Sequence, residues 1–351
     1  MVQDEVTIDK YELYEALFDP EWGELVEPQR KRKANHKPKK SHGEILAELA
    51  DDLSDVELGF NTTYRPSKHE QGWLLESLWT FYDEGLITDV LAQVKGGKEA
   101  SVYLCEPHPA TGLGLLAAKV YRPRMFRNLR NDAMYRQGRE ILVAGGNPAG
   151  RDSGYIERAI RSGSAFGQQA AHTSWLMYEF TAMEQLYQAG GAVPRPIHAS
   201  ENAILMSYVG DEFMAAPTLN TVNLERDEAE RLFREVLRNV DLLLHHDLIH
   251  GDLSAYNLLY WEGEVALIDF PQVVNLHSNP KAHFILRRDI QRTCEYFAGQ
   301  GVDCNAQSIA NELWWRYVPD LHPEDRAADE SRMEVFLAEV AEESGARRVE
   351  E

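Results

Sequence analysis

Cysteine is scarce: three residues, Cys105, Cys294 and Cys304, are scattered over 351 positions. Their number and spacing suit neither a disulfide framework nor a zinc site, which fits a reducing, cytoplasmic setting. Positive charge is also short, since 36 Lys+Arg against 57 Asp+Glu leave a net charge of −21. That balance argues against a body that wraps nucleic acid by charge alone. No hydrophobic run approaches the ~20 residues needed to span a bilayer, so no membrane role is expected. The acidic start MVQDEVTIDK lacks the character of a signal peptide. What remains is an ordinary globular composition, 44% hydrophobic and 26% charged.

Positive charge is concentrated in one place. Arg30 to Lys40 carries seven cations and no acidic residue. It reads as a solvated linker, with contact to RNA or an acidic protein as the sharper alternative.

Downstream, dense apolar residues from Trp73 to Tyr82 predict a buried helix ending at Gly85. Leu86–Val94, Ala100–Cys105 and Leu115–Tyr121 read as strands around a Gly pair and a Pro/Gly connection. Residues 122–171 show little clean periodicity. A helix is expected from about His172 to Ala189 and a strand around Ala203–Val209. Ala229, Leu232, Phe233, Val236, Leu237, Val240, Leu243 and Leu244 mark a helix between Leu224 and His246. Leu258–Trp261 and Val265–Ile268 flank Glu262-Gly263-Glu264 as a hairpin, and helices are expected near 282–298, 306–317 and 329–343.

The expected fold class is α+β, a trimmed two-lobed kinase-like fold with a β-rich first lobe and a mostly helical second. The expected divisions are an extension over 1–85, an N-lobe over 86–209, a C-lobe over 210–320 and an acidic tail over 321–351. A cleft between unlike lobes is where a ligand would bind.

The strongest chemical cluster is Leu248-Ile249-His250-Gly251-Asp252-Leu253-Ser254-Ala255-Tyr256-Asn257, followed by Ala266-Leu267-Ile268-Asp269. Phosphoryl transfer needs one carboxylate to orient or deprotonate the acceptor, and an amide oxygen with a second carboxylate for Mg²⁺. Asp252, Asn257 and Asp269 fit those roles. An ordinary Asp/Asn turn accounts for each residue singly, but not for a carboxylate set among apolar strands. A second cluster comprises Gly97, Lys98, Glu99, Ala100, Ser101 and Val102 in a turn that would let backbone N–H groups approach phosphates. Lys119 follows, alone in an apolar strand, and Glu179 is the best candidate for its partner.

Together with Met206-Ser207-Tyr208-Val209-Gly210, Ile268-Asp269-Phe270-Pro271-Gln272 and Arg288-Asp289, these motifs resemble the RIO family of atypical protein kinases from about Gly96 to Phe297. The resemblance implies ATP with Mg²⁺ or Mn²⁺, and a Lys119–Glu179 ion pair. It implies an adenine pocket along Met206 to Val209, with hinge backbone at Ser207 and Val209. Asp252 matches the catalytic aspartate, and Asn257 and Asp269 match the metal ligands. Phe126 to Gly138 resembles the family's flexible loop.

Residues 139–171 look looser and richer in glycine than that loop, and the first 90 residues give no winged-helix pattern. The catalytic loop resembles one branch of the family and Ile268–Gln272 another. Beyond Asp269 there is no Asp-Phe-Gly, no Ala-Pro-Glu and little room for a peptide-docking lobe. The resemblance therefore implies phosphate transfer to serine of a protein or of the chain itself, or ATP hydrolysis through an aspartyl-phosphate. Ribosomal precursors or RNA, met through residues 30–40, are the partners it suggests. Two rivals share parts of the pattern: a small-molecule phosphotransferase of the aminoglycoside/choline kinase type, and a nucleotide-binding scaffold without catalysis.

Overall fold

Leu74, Leu78 and Phe81, spaced at i, i+4 and i+7, are fully buried on one face of helix α1, Lys68–Asp83. Ser67 precedes its first turn, and the Glu70 carboxylate accepts the Ser67 N–H at 3.4 Å. The helix ends where expected: Leu86 N–H returns to the Phe81 carbonyl at 2.8 Å and Gly85 adopts φ +66°. A computed structural model describes residues 60–318, apart from 61, 98, 123–138, 140, 144–145 and 151–152. The basic run 30–40, Lys98, most of the expected flexible loop and the expected helix at 329–343 lie outside the described residues.

The buried face of α1 packs on a five-stranded antiparallel sheet in the order β1-β2-β3-β5-β4. Its strands are β1 Ile87–Gly96, β2 Ala100–Pro107, β3 Leu116–Tyr121, β4 Pro196–Ala199 and β5 Ala203–Ser207. Ile87, Val90, Tyr103, Cys105, Leu116, Ala118, Val120, Ala203 and Leu205 form one core with α1. β3 is central. It pairs Lys119 with Val102 of β2 on one side and with Ile204 of β5 on the other.

Three features differ from the sequence expectation. Helix α2, Ser153–Ser162, lies within the stretch read as aperiodic, and helix α3, Ala165–Gln188, begins well before His172. Ser164 caps α3 by accepting the Gly167 N–H at 3.1 Å. Gly167 lies so close to α2 that an added Cβ would stand 2.0 Å from the Ala159 carbonyl oxygen. The small and polar residues at the start of α3 leave no hydrophobic stripe by which that part of the helix would be recognised. β4 was not anticipated either; it is an edge strand that starts at a proline, and none of its residues is fully buried.

Helix α4, Arg226–His245, buries the expected apolar set except Leu237, and adds Asn239. It leads through the two-residue strand β6, Leu248–Ile249, into a polar loop, then into hairpin strands β7, Leu258–Trp261, and β8, Glu264–Leu267. Glu262 and Gly263 both have positive φ, as a tight hairpin turn requires. β9, Val274–Asn275, pairs with β6, and helices α5, Ala282–Gly299, and α6, Ala306–Tyr317, close this half. No helix among the described residues is long and apolar enough to cross a membrane.

Candidate active site

Every residue of β3 but Lys119 is buried, and the Lys119 ammonium emerges between two carboxylates. Its Nζ lies 2.5 Å from Glu179 Oε1 and 2.5 Å from Asp269 Oδ1. Glu179 comes from the middle of α3 and is itself buried, while the Asp269 side chain is 40% exposed. Burial alone would lower the Lys119 pKa, but the Asp269 and Glu179 charges hold it above its ordinary value. Burial pushes the Glu179 carboxyl up to about 7 against the opposing pull of Lys119. Asp269 shifts downward: burial would raise it, and the Lys119 charge and hydrogen bond outweigh that. The Tyr121 hydroxyl, two residues along β3 from Lys119, donates to Glu179 Oε2. Tyr121 ends a strand that the sequence predicts, but nothing in the sequence says what a strand tyrosine reaches.

Asp269 sits just past β8 with φ +72°, a left-handed conformation that Asp tolerates better than most residues. Arg139 ties down the chain beyond it. This guanidinium donates to the Pro271 carbonyl at 2.8 Å and to the Val273 carbonyl, and lies over the Tyr178 ring 5.0 Å from its centroid. Arg139 thereby links the segment after Asp269 to the helix that carries Glu179.

Asp252 lies in the loop after β6. Its Oδ2 accepts Asn257 Nδ2 at 3.0 Å, and that nitrogen also reaches the Asp252 carbonyl at 2.9 Å. Its Oδ1 accepts Arg292 Nη1 of α5 at 2.9 Å. The loop backbone is held from the same helix: Gly251 N–H donates to Asp289 Oδ2 at 2.8 Å, and Arg288 donates to the Gly251 carbonyl. Gly251 has φ +84°, and a Cβ there would lie 2.1 Å from the Gln272 carbonyl oxygen. Only glycine lets the Asp252 loop and the Asp269 loop touch. They are also joined by Ile268 N–H to the Asn257 carbonyl at 3.0 Å, and by His250 Nε2 to the Ile268 carbonyl at 3.2 Å. With a carbonyl as its partner, that nitrogen carries the proton, and His250 Nδ1 accepts the Asp252 N–H at 3.3 Å.

The remaining expected site residues lie on the two strands that flank β3 and on the segments joined to them. Gly97, Glu99, Ala100, Ser101 and Val102 make the β1–β2 turn and the start of β2, next to Lys119 across the ladder. Met206 and Ser207 end β5, and Val209 follows. The Ser207 N–H is engaged by the Arg195 carbonyl at 2.8 Å, and the Val209 carbonyl accepts Ala216 N–H at 3.0 Å. The Val209 N–H makes no hydrogen bond among the described residues.

The donor set fits a hard divalent cation. With Nδ2 committed to Asp252, the Asn257 side chain has its oxygen as the remaining ligand atom, and Asp269 has Oδ2 beyond the oxygen at Lys119. Among the described residues no group of three His, Cys, Asp or Glu could hold a metal. A cation here would thus rely on two protein oxygens plus those of phosphate and water, the habit of Mg²⁺.

An ion-paired strand lysine, a braced loop aspartate and an Asn/Asp oxygen pair define the site class of a phosphotransferase with a kinase-like architecture. A family model described as the RIO domain matches residues 151–309. The RIO-type serine/threonine-protein kinase Rio1 of Haloferax volcanii is 30% identical over 260 residues, covering 72% of this chain and 77% of that protein. The chain therefore belongs to the RIO family of serine/threonine-protein kinases. Human RIO1 is 27% identical over 277 residues, 78% of this chain but 43% of its own length. The structure of the Chaetomium thermophilum Rio2 kinase-ADP/Mg²⁺-phosphoaspartate complex aligns at 20% identity and a TM-score of 0.46, over 86% of this chain and 85% of that one.

Proposed function

We propose that this chain transfers the γ-phosphate of ATP to a serine of a protein or of itself, or to water. The observation that carries this reading is the Lys119 ammonium held 2.5 Å from both Glu179 and Asp269, beside the hydrogen-bonded Asp252–Asn257 pair. In it the turn and strand start of Gly97, Glu99, Ala100, Ser101 and Val102 face the phosphates, and Lys119 neutralises phosphate oxygens. Met206, Ser207 and Val209 border the adenine, with the unengaged Val209 N–H as its donor. Asn257 and Asp269 would hold Mg²⁺, or Mn²⁺ in its place, which would offset phosphate charge.

Asp252 orients the acceptor hydroxyl and takes its proton. The acceptor oxygen bonds to the γ-phosphorus as the bond to the β–γ bridging oxygen breaks, and ADP leaves. In the hydrolytic variant Asp269 is first the nucleophile, and water then releases phosphate from it. The acceptor class follows from family membership, which disfavours a small-molecule phosphotransferase or an inert scaffold. RNA or a ribosomal precursor bound through residues 30–40, in the cytoplasm, completes the reading.

Incubation with γ-labelled Mg·ATP and intact-mass analysis tests it. Phosphate transfer to serine, or release to water, that disappears in Asp252→Ala is expected. Turnover of a small alcohol or amine with no transfer to protein or water would overturn it.

A further inference from the structure

We propose that Arg292 is a positioning residue of this site: from α5 it fixes the Asp252 carboxylate and, through it, the direction in which the Asn257 amide oxygen points. The inference rests on the phosphotransfer reading of Asp252 and Asn257. Arg292 was not singled out in the sequence, where it is one of several arginines on a helix.

The geometry is a relay of three side chains. Arg292 and Asp252 are both largely buried, their side chains 8% and 15% exposed, and they meet at 2.9 Å. The terminal torsion of an aspartate is intrinsically broad. Here it is pinned at both ends, with Oδ1 on Arg292 and Oδ2 on Asn257. The Asn257 nitrogen faces two acceptors, the Asp252 carbonyl and Oδ2, so the amide oxygen must point the other way. Reversing the amide would set its oxygen against two acceptors. The orientation of a metal-ligand oxygen thus depends on where Asp252 stands, and that depends on the guanidinium.

Arg292 is well placed for this because its helix is already braced. Arg288, one turn earlier on the same face, holds the Gly251 carbonyl, and Asp289 holds the Gly251 N–H. Helix α5 therefore fixes the loop backbone with Arg288 and Asp289, and its side chains with Arg292. Without Arg292, Asp252 loses the anchor on Oδ1 and Asn257 loses a fixed acceptor. Neither the β1–β2 turn nor the Lys119 cluster is touched, so ATP should still bind.

The test compares wild type with Arg292→Gln and Arg292→Lys. In Arg292→Gln, kcat should fall by on the order of tenfold to a hundredfold. The Mg²⁺ concentration for half-maximal rate should rise several-fold, while KM for ATP stays near wild type. Arg292→Lys should restore most of the loss, since an ammonium still supplies one donor to Oδ1.

A second readout needs neither metal nor turnover: the Asn257 side-chain amide resonances, assigned by their loss in Asn257→Ala. They should be slow to exchange in wild type and Arg292→Lys, and collapse toward solvent values in Arg292→Gln. Wild-type kinetics and unchanged Asn257 resonances in Arg292→Gln would overturn the proposal. So would a parallel loss of kcat, KM and melting temperature in both variants, which would make Arg292 a packing residue only. If the wild type neither binds nor turns over Mg·ATP, the functional reading fails, yet the amide resonances still decide on Arg292.

Discussion

The Tyr121 hydroxyl donates to the one oxygen of Glu179 that Lys119 does not use, so both oxygens of a buried carboxylate are engaged from the same strand. Tyr121→Phe removes a donor to a charged group without changing shape. A loss of about 1.5–3 kcal/mol in chemical denaturation is expected. Nucleotide affinity should fall by less than in Lys119→Ala, because the ion pair itself survives. Unchanged stability would show that the hydroxyl is not needed to hold Glu179.

Removing Lys119 is more severe. Lys119→Ala leaves Glu179 without its cation in a buried setting and frees Asp269 from its partner. The expected cost is about 3–5 kcal/mol. Calorimetry with Mg·ATP should show binding lost or greatly weakened. Equal affinity in the two proteins would remove Lys119 from the site.

The shifted Glu179 pKa makes stability depend on pH. Its folded value, about 7, lies above the ordinary 4.5. The protonated carboxyl therefore favours the folded state, with the full contribution present below 4.5 and lost as pH rises through about 7. The span corresponds to at most about 3 kcal/mol. Asp269, shifted downward, works in the opposite sense at lower pH. Urea titrations at several pH values should show wild type losing stability relative to Glu179→Gln between pH 5 and pH 7.5. Parallel curves would mean that Glu179 stays ionised throughout.

The two aspartates should separate by phenotype. Asp252→Ala should abolish transfer while leaving Mg·ATP bound. Asp269→Asn should weaken Mg·ATP and remove any hydroxylamine-labile phosphate, while keeping a residue that tolerates the left-handed backbone at 269. Full turnover in Asp269→Asn, with label only on serine, would leave direct transfer as the route.

Much of this arrangement was legible because motif residues declare their chemistry. Lys119 stood out as a lysine in an apolar strand, and Asp252, Asn257 and Asp269 by their types and order around a hairpin. The helix of Ala229 to Leu244 was legible from its stripe. Other features left no such signal. The early turns of α3, around Gly167, are built mostly on small and polar residues, and α2, though Ile156, Ala159 and Ile160 share one face, is only ten residues long. Arg139, Tyr121 and Arg292 act through contacts to residues 134, 58 and 40 positions away, and no local pattern records such a distance. Arg288-Asp289 stands out as a motif in the sequence, but that it holds both polar groups of Gly251 is visible only in three dimensions.

Lys119 is flanked by ladders on both sides, to Val102 and to Ile204. Side chains alternate along a strand, so a slip of one residue would turn the ammonium to the opposite face and put an alanine or a valine in its place. The same slip would move the buried residues of β3 out of the core against two neighbours at once. Assembly of the sheet therefore proofreads the site. A chain with misplaced Lys119 is also a poorly folded one, and well-folded but silent molecules should not accumulate. The connection between β2 and β3 can vary in length only where both ladders keep their pairing.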